Sequence, residues 1–179
     1  MADSNITKKA LASSLKELMS NKAFNKISIG EICERCLMNR KSFYYHFKDK
    51  EDLLNWIFDT EFAEVCPTTL EDGLWDELTA LVDYLYENRS FYRKAFRIEG
   101  QNSPASHMHE LLYPVLKARL RLLIKNEEIT DFQVNFFADG IICAIRRWIY
   151  ASDCPPPEEF TRQIRSCMYG IAEEILKTN

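Results

Sequence analysis

The sequence predicts an all-α protein, a small helix-turn-helix domain followed by a larger helical body, and three observations carry that reading. Only five glycines occur in 179 residues. No segment keeps the period-two alternation of a half-buried strand. Apolar residues instead recur at spacings of three and four along most of the chain, as they do on one face of a helix.

The elements follow in order. The first helix is expected over residues 7–21, where Ala10, Leu11, Leu15 and Leu18 form an apolar stripe. Ser28-Ile29-Gly30-Glu31 fits a capping box: the serine accepts from an early helical amide while the glutamate reaches back. It opens a short helix to about residue 35. A third short helix starts at Asn39, a good N-cap, and ends near residues 47–48. Asp49 caps a fourth, whose positive first turn carries Glu51 and Asp52. Helices over 75–88 and 91–97 come next, and GQNSPAS at 100–106 reads as a loop. A helix over 105–125 contains Pro114, which should kink or divide it. Asp131 is expected to cap a helix to residue 151 whose run FFADGIICAIRRWIY is apolar on more than one face. The prolines at 155–157 make a stiff break, and Pro157 or Glu158 begins the last helix, to residue 177.

Composition narrows the function. No apolar run approaches the roughly 18 residues that span a membrane, and MADSNITKKALASS lacks a signal-peptide core. Cytoplasmic residence is the expectation, with the six cysteines as free thiols. Cys33-x-x-Cys36 lies on a helix without a second ligand pair, so packing is its expected role and metal or redox sensing the alternative. His107 and His109, two apart on a helix, do not face each other. No metal or cofactor is expected. No nucleophile–base–orienter set or Gly-rich phosphate loop is present, so an enzyme is not expected either. The charge is uneven. Residues 1–50 hold ten Lys/Arg against five Asp/Glu, a net +5, whereas residues 51–179 hold thirteen against twenty-two, a net -9. A basic head on an acidic body points to a polyanion for the head alone.

The stretch NRKSFYYHFKDKEDLL supplies the chemistry. Phe43 and Phe47 lie four apart and share one face, while the pairs Arg40/Tyr44 and Lys41/Tyr45 fall on the other. Three short helices in this arrangement read as a helix-turn-helix, in which the first residues of the second motif helix reach base edges. An arginine there can grip guanine with two hydrogen bonds. The hydroxyls of Tyr44 and Tyr45, and His46, suit phosphate oxygens. The start of the fourth helix, with Lys50, offers free amides to an anion.

As a whole, SIGEICERCLMNRKSFYYHFKDKEDLL resembles the DNA-binding segment of the TetR family of one-component bacterial regulators. The resemblance implies that Ser42, Tyr44, Tyr45, His46 and Lys50 meet the DNA backbone and that Arg40 and Lys41 lie where bases are read. Ser28 and Asn39, at two helix starts, complete the candidate set. The turn departs from the family pattern: Cys36-Leu37 stands where a small residue and glycine are usual. A left-handed leucine costs about 1 kcal/mol or more.

ENRSFYRKAF and FFADGIICAIRRWI resemble a subgroup that includes regulators of dihydroxyacetone kinase genes. In the family the last two long helices form a four-helix bundle across a two-fold axis. That implies a homodimer, with Gly140 and Ala144 allowing close approach, Ile141, Ile145 and Trp148 as exposed anchors, and Met168 on the last helix; core of a monomer is the alternative. Trp75, Tyr84, Phe91, Tyr92, Phe96, Tyr113 and Phe137 are candidates to line an effector cavity, with plain core the alternative. The expectation is therefore a DNA-binding domain at 1–48 and a regulatory and dimerisation domain at 49–179. The expected function is a homodimeric repressor on a palindromic operator of double-stranded DNA, released by a small-molecule effector. The alternative is a regulator, an activator among the options, controlled by a protein partner.

Overall fold

The computed structural model describes residues 2–66, 74–100, 103–123 and 129–177, and every regular element among them is helical. In order they are α1 (Ala2–Asn21), a 3-10 turn (Phe24–Lys26), α2 (Ile29–Arg35), α3 (Arg40–His46), α4 (Lys50–Val65), α5 (Leu74–Glu87), α6 (Arg89–Ala95), α7 (Pro104–Leu123), α8 (Asp131–Tyr150) and α9 (Pro157–Lys177). The chain forms two compact units. One comprises Met1–Glu61 and Ser90–Met108, the other Phe62–Arg89 and His109–Asn179.

In the first unit α1, α2 and α3 close around Leu11, Leu15, Ile32 and Phe43, all fully buried. Phe43 and Phe47 pack as their spacing predicts, their rings 5.8 Å apart. Removing either ring from such a core costs about 3–5 kcal/mol. The Asp49 carboxylate accepts from the Asp52 amide at 2.8 Å, the cap expected for α4. The expected division at 48/49 falls inside the first compact unit, because packing groups the chain differently. The Lys50 ammonium donates to the carbonyls of Phe24 and Ile27 at 2.8 and 3.0 Å, fastening α4 to the 3-10 turn. Phe58 of α4 meets Tyr92 and Phe96 edge-on at 5.3 and 5.9 Å, which brings α6 in as well.

In the second unit α5 packs on α8 and α9. An ion pair lies in its interior: Arg119 of α7 donates to the Glu77 carboxylate of α5 at 2.5 and 3.2 Å, both side chains more than nine-tenths buried. Two expectations are corrected here. The cap of α8 is Thr130, not Asp131; Thr130 and Gln133 form a full capping box, and Asp131 is the first helical residue. The T-x-x-Q spacing carried that signal in the sequence. Pro114 does not divide α7. It lies on the exposed side of the helix, where a missing amide hydrogen bond is least costly.

Candidate nucleic-acid interface

The head is assembled by local hydrogen bonds. At α2 the Glu31 amide donates to Ser28 Oγ at 3.2 Å and the Ser28 amide to Glu31 Oε2 at 2.9 Å, closing the capping box. The Glu31 carboxyl also accepts from Lys22. That hydrogen bond, with those from the Ser28 amide and hydroxyl, lowers its pKa from 4.5 to about 2. At α3 the Ser42 amide donates to Asn39 Oδ1 at 2.8 Å, the expected N-cap. Between the helices Met38 N–H donates to Cys33 O at 2.8 Å and Leu37 N–H to Glu34 O at 3.2 Å. These are the two bonds of a Schellman turn, whose pivot residue is left-handed. Leu37 is that pivot, with φ +57°, so the turn keeps its geometry without the glycine. Its side chain is 95% exposed.

Above this frame α3 presents two faces. Phe43 and Phe47 point inward, while Tyr44 is 58% and Tyr45 82% exposed. Arg40 and Lys41 in the first turn are exposed. His46 is half-buried and edge-on to Tyr45, ring centroids 4.9 Å apart. Ser28, Asn39 and Ser42 are engaged in capping, and their backbones carry the helix starts. Lys50, read as a phosphate contact, has two donors on carbonyls and its ammonium 4.6 Å from the centre of the Phe24 ring. Its first task is structural. Cys33 is buried, and burial pushes its thiol pKa up. The Cys36 thiol points at Ile32 O, 3.3 Å away.

The aromatic residues considered for a cavity are divided between the two units. Phe91, Tyr92 and Phe96 are core of the first unit. In the second, Trp75 Nε1–H donates to the Tyr169 hydroxyl at 3.1 Å and Tyr113 donates to Asp131 at 2.6 Å. Tyr84 is half-buried on α5. An apolar pocket among α5, α7, α8 and α9, lined by Leu78, Leu112 and Met168 among others, has a volume of about 20 Å³ and includes none of the seven.

Phe137 lines a different feature, an open apolar groove of about 380 Å³ between α8 and α9. Gly140, Ile141, Ala144 and Met168 line it too. Phe132 and Phe136, which the sequence reading passed over, are 77% and 57% exposed on α8. Ile141, Ile145 and Trp148 are not exposed anchors, because each is buried within the protomer. Trp148 stacks on Phe160 at 4.5 Å and donates to Pro155 O at 2.8 Å, so its polar edge is satisfied inside. Gly30 was also passed over, read only as part of the capping box; it lies beneath the Arg40 guanidinium.

Residues 13–57 match the family model described as bacterial regulatory proteins, tetR family. Residues 74–170 match that of a transcriptional regulator C-terminal region, TetR_C_8. The HTH-type dhaKLM operon transcriptional activator DhaS of Lactococcus lactis subsp. lactis (strain IL1403) is 39% identical over 144 residues, 80% of this chain and 74% of that protein. A solved structure of dihydroxyacetone kinase operon activator DhaS superposes with a TM-score of 0.71 at 27% identity, covering 92% of this chain and 95% of that one. The fold is also that of RolR in complex with resorcinol, with a TM-score of 0.61 at 22% identity over 91% and 87% of the two chains.

Proposed function

The chain belongs to the TetR family of transcriptional regulators and is a DNA-binding regulator of that type; on that premise we propose that it grips a palindromic operator as a homodimer and activates transcription under the control of a protein partner. The observation that carries the DNA contact is the exposed face of α3. Arg40 and Lys41 stand in its first turn and make no hydrogen bond or ion pair among the described residues. Tyr44, Tyr45 and His46 follow beside them, suited to phosphate oxygens that fix the register while the arginine reads a base.

The α8–α9 groove supports the homodimer. Exposed phenylalanines beside an open apolar groove need a cover. Gly140 adds to this: a Cβ built there meets nothing within 4 Å, so packing inside the protomer does not require the glycine. A mid-helix glycine costs roughly 0.5–1 kcal/mol relative to alanine, and close approach of a second copy would justify it. Two such protomers would place their recognition helices roughly 34–36 Å apart, one turn of DNA.

Two observations support activation through a partner over a repressor released by a small molecule. The relative from Lactococcus lactis is named an activator. The pocket among α5, α7, α8 and α9 offers about 20 Å³, room for about one water, where small-ligand sites take roughly 300 Å³ or more; the α8–α9 groove of about 380 Å³ is open, and this reading gives it to the second copy. The test is selection of bound sites from a random DNA pool, followed by transcription in vitro from a template bearing the selected site. A palindromic site and increased transcript support the reading. Binding that ignores sequence, or repression relieved by a metabolite alone, would overturn it.

A further inference from the structure

Gly30 is the second residue of α2 and buried, and the atoms nearest to where its side chain would stand belong to Arg40. A Cβ built on its backbone would lie 2.7 Å from Arg40 Nη2, 3.4 Å from Nε and 3.5 Å from Cζ. The guanidinium of the recognition helix therefore occupies the space that a side chain at position 30 would take. The first of these distances is closer than a real Cβ sits to anything, so any other residue at 30 moves the guanidinium.

The contact differs from those of four other cations of the head. Lys16, Lys22, Arg35 and Lys50 are held by hydrogen bonds to carboxylates or carbonyls, which engage their donors. Arg40 makes no hydrogen bond or ion pair among the described residues. Its guanidinium rests against Gly30 with its donors unengaged. A guanidinium held this way keeps its N–H fork free for a planar partner. It also gives up less freedom on binding, because part of its rotamer entropy is lost in advance.

We infer that Gly30 is a positioning residue for base recognition: by lacking a Cβ it seats the Arg40 guanidinium against the first turn of α2 and so sets which base pair that arginine reads. The inference rests on the DNA-reading role proposed above for Arg40. It extends the specificity determinants of the head from α3 to a backbone position on α2 that need not touch DNA itself. The local sequence chemistry agrees. A glycine in the first turn of a helix is a poor choice for helix stability, and Gly30 has an ordinary helical backbone that does not require it.

The experiment uses the full chain and the best site selected by it from a random DNA pool, together with all single-base-pair variants of that site. Binding is measured for the natural chain, Gly30→Ala, Arg40→Ala and the double variant. The obstructing atom is the far end of a flexible side chain, and alanine suits a helix better than glycine, so Gly30→Ala is expected to keep or raise the thermal midpoint. It is expected to lose about tenfold in discrimination at the base pair where Arg40→Ala loses it. The double variant is expected to match Arg40→Ala alone. An unchanged variant panel for Gly30→Ala, or a Gly30→Ala effect that persists undiminished without Arg40, overturns the inference while leaving the role of Arg40 intact. If Arg40→Ala itself leaves discrimination unchanged, both the role of Arg40 and the inference fall.

Discussion

Leu37→Gly should stabilise the head, and the size of the gain follows from the turn. Leu37 holds φ +57° because both bonds of the Schellman turn require a left-handed pivot. For a residue with a Cβ that conformation costs roughly 1–2 kcal/mol. Glycine removes this strain but frees the unfolded chain, returning about 0.5–1 kcal/mol. The leucine side chain is 95% exposed, so its loss leaves no cavity. The net gain is about 0.5–1 kcal/mol, or roughly 1–4 °C in midpoint for a chain of this size. Leu37→Ala keeps the Cβ and hence the strain, and should stay within about 0.5 kcal/mol of the natural chain. The assay is urea unfolding followed by circular dichroism, with the slope required to stay constant. The reasoning fails if the glycine variant is no more stable than the natural chain, or if alanine matches glycine.

Other outcomes test other parts of the molecule. The depressed Glu31 carboxyl adds stability above its unfolded value, and this is lost as pH falls from about 4.5 towards about 2; in Glu31→Gln that part of the acid slope should vanish from a stability–pH curve. Glu77→Leu alone leaves Arg119 buried opposite no carboxylate at position 77 and should destabilise by about 3–5 kcal/mol, whereas Glu77→Leu with Arg119→Met should recover near the natural stability in calorimetry. Phe136→Glu places a charge beside the α8–α9 groove and should yield monomers in analytical ultracentrifugation with the helical content unchanged. If Lys26, Arg40, Lys41 and Lys48 are the cations each protomer brings to DNA, a titration of affinity against salt should give a logarithmic slope of roughly -5 to -7; a slope more than twice as steep would mean that the internally engaged lysines also reach phosphates.

What could be read from the residues alone was what the chain decides locally. The Ser28–Glu31 box, the Asn39 cap and the Phe43/Phe47 face each rest on partners three or four residues apart, and each is present. The left-handed state of position 37 was suggested by the family pattern and not by the residues themselves, since leucine carries no local signal for it. Tertiary roles were not legible. Ile145 and Trp148 have the spacing of an exposed face and an interior face alike, because α8 is apolar on several sides; only the packing of α5 and α9 decides between them. Phe132 and Phe136 were missed because an exposed aromatic looks the same in sequence as a buried one. The aromatics of α5, α6 and α7 are divided between the two units, which spacing along the chain cannot foresee.

Charge shows the same limit in a sharper form. The net +5 of the first fifty residues pointed to the right segment, but not for the reason counting suggests. Lys16 is paired with Glu61, Lys22 with Glu31 and Arg35 with Glu17, while Lys50 bridges two carbonyls. These cations hold the head together. The side chains of Lys26, Arg40, Lys41 and Lys48 make no hydrogen bond or ion pair among the described residues. An unengaged cation on a rigid frame is the kind that can release a counterion and grip DNA without first breaking an internal bond. Among them Arg40 alone is seen on a seat, and the seat is a glycine on another helix. On the proposed reading, recognition in this head is set less by how many positive residues the segment carries than by which of them the fold leaves free and, in one case, aims.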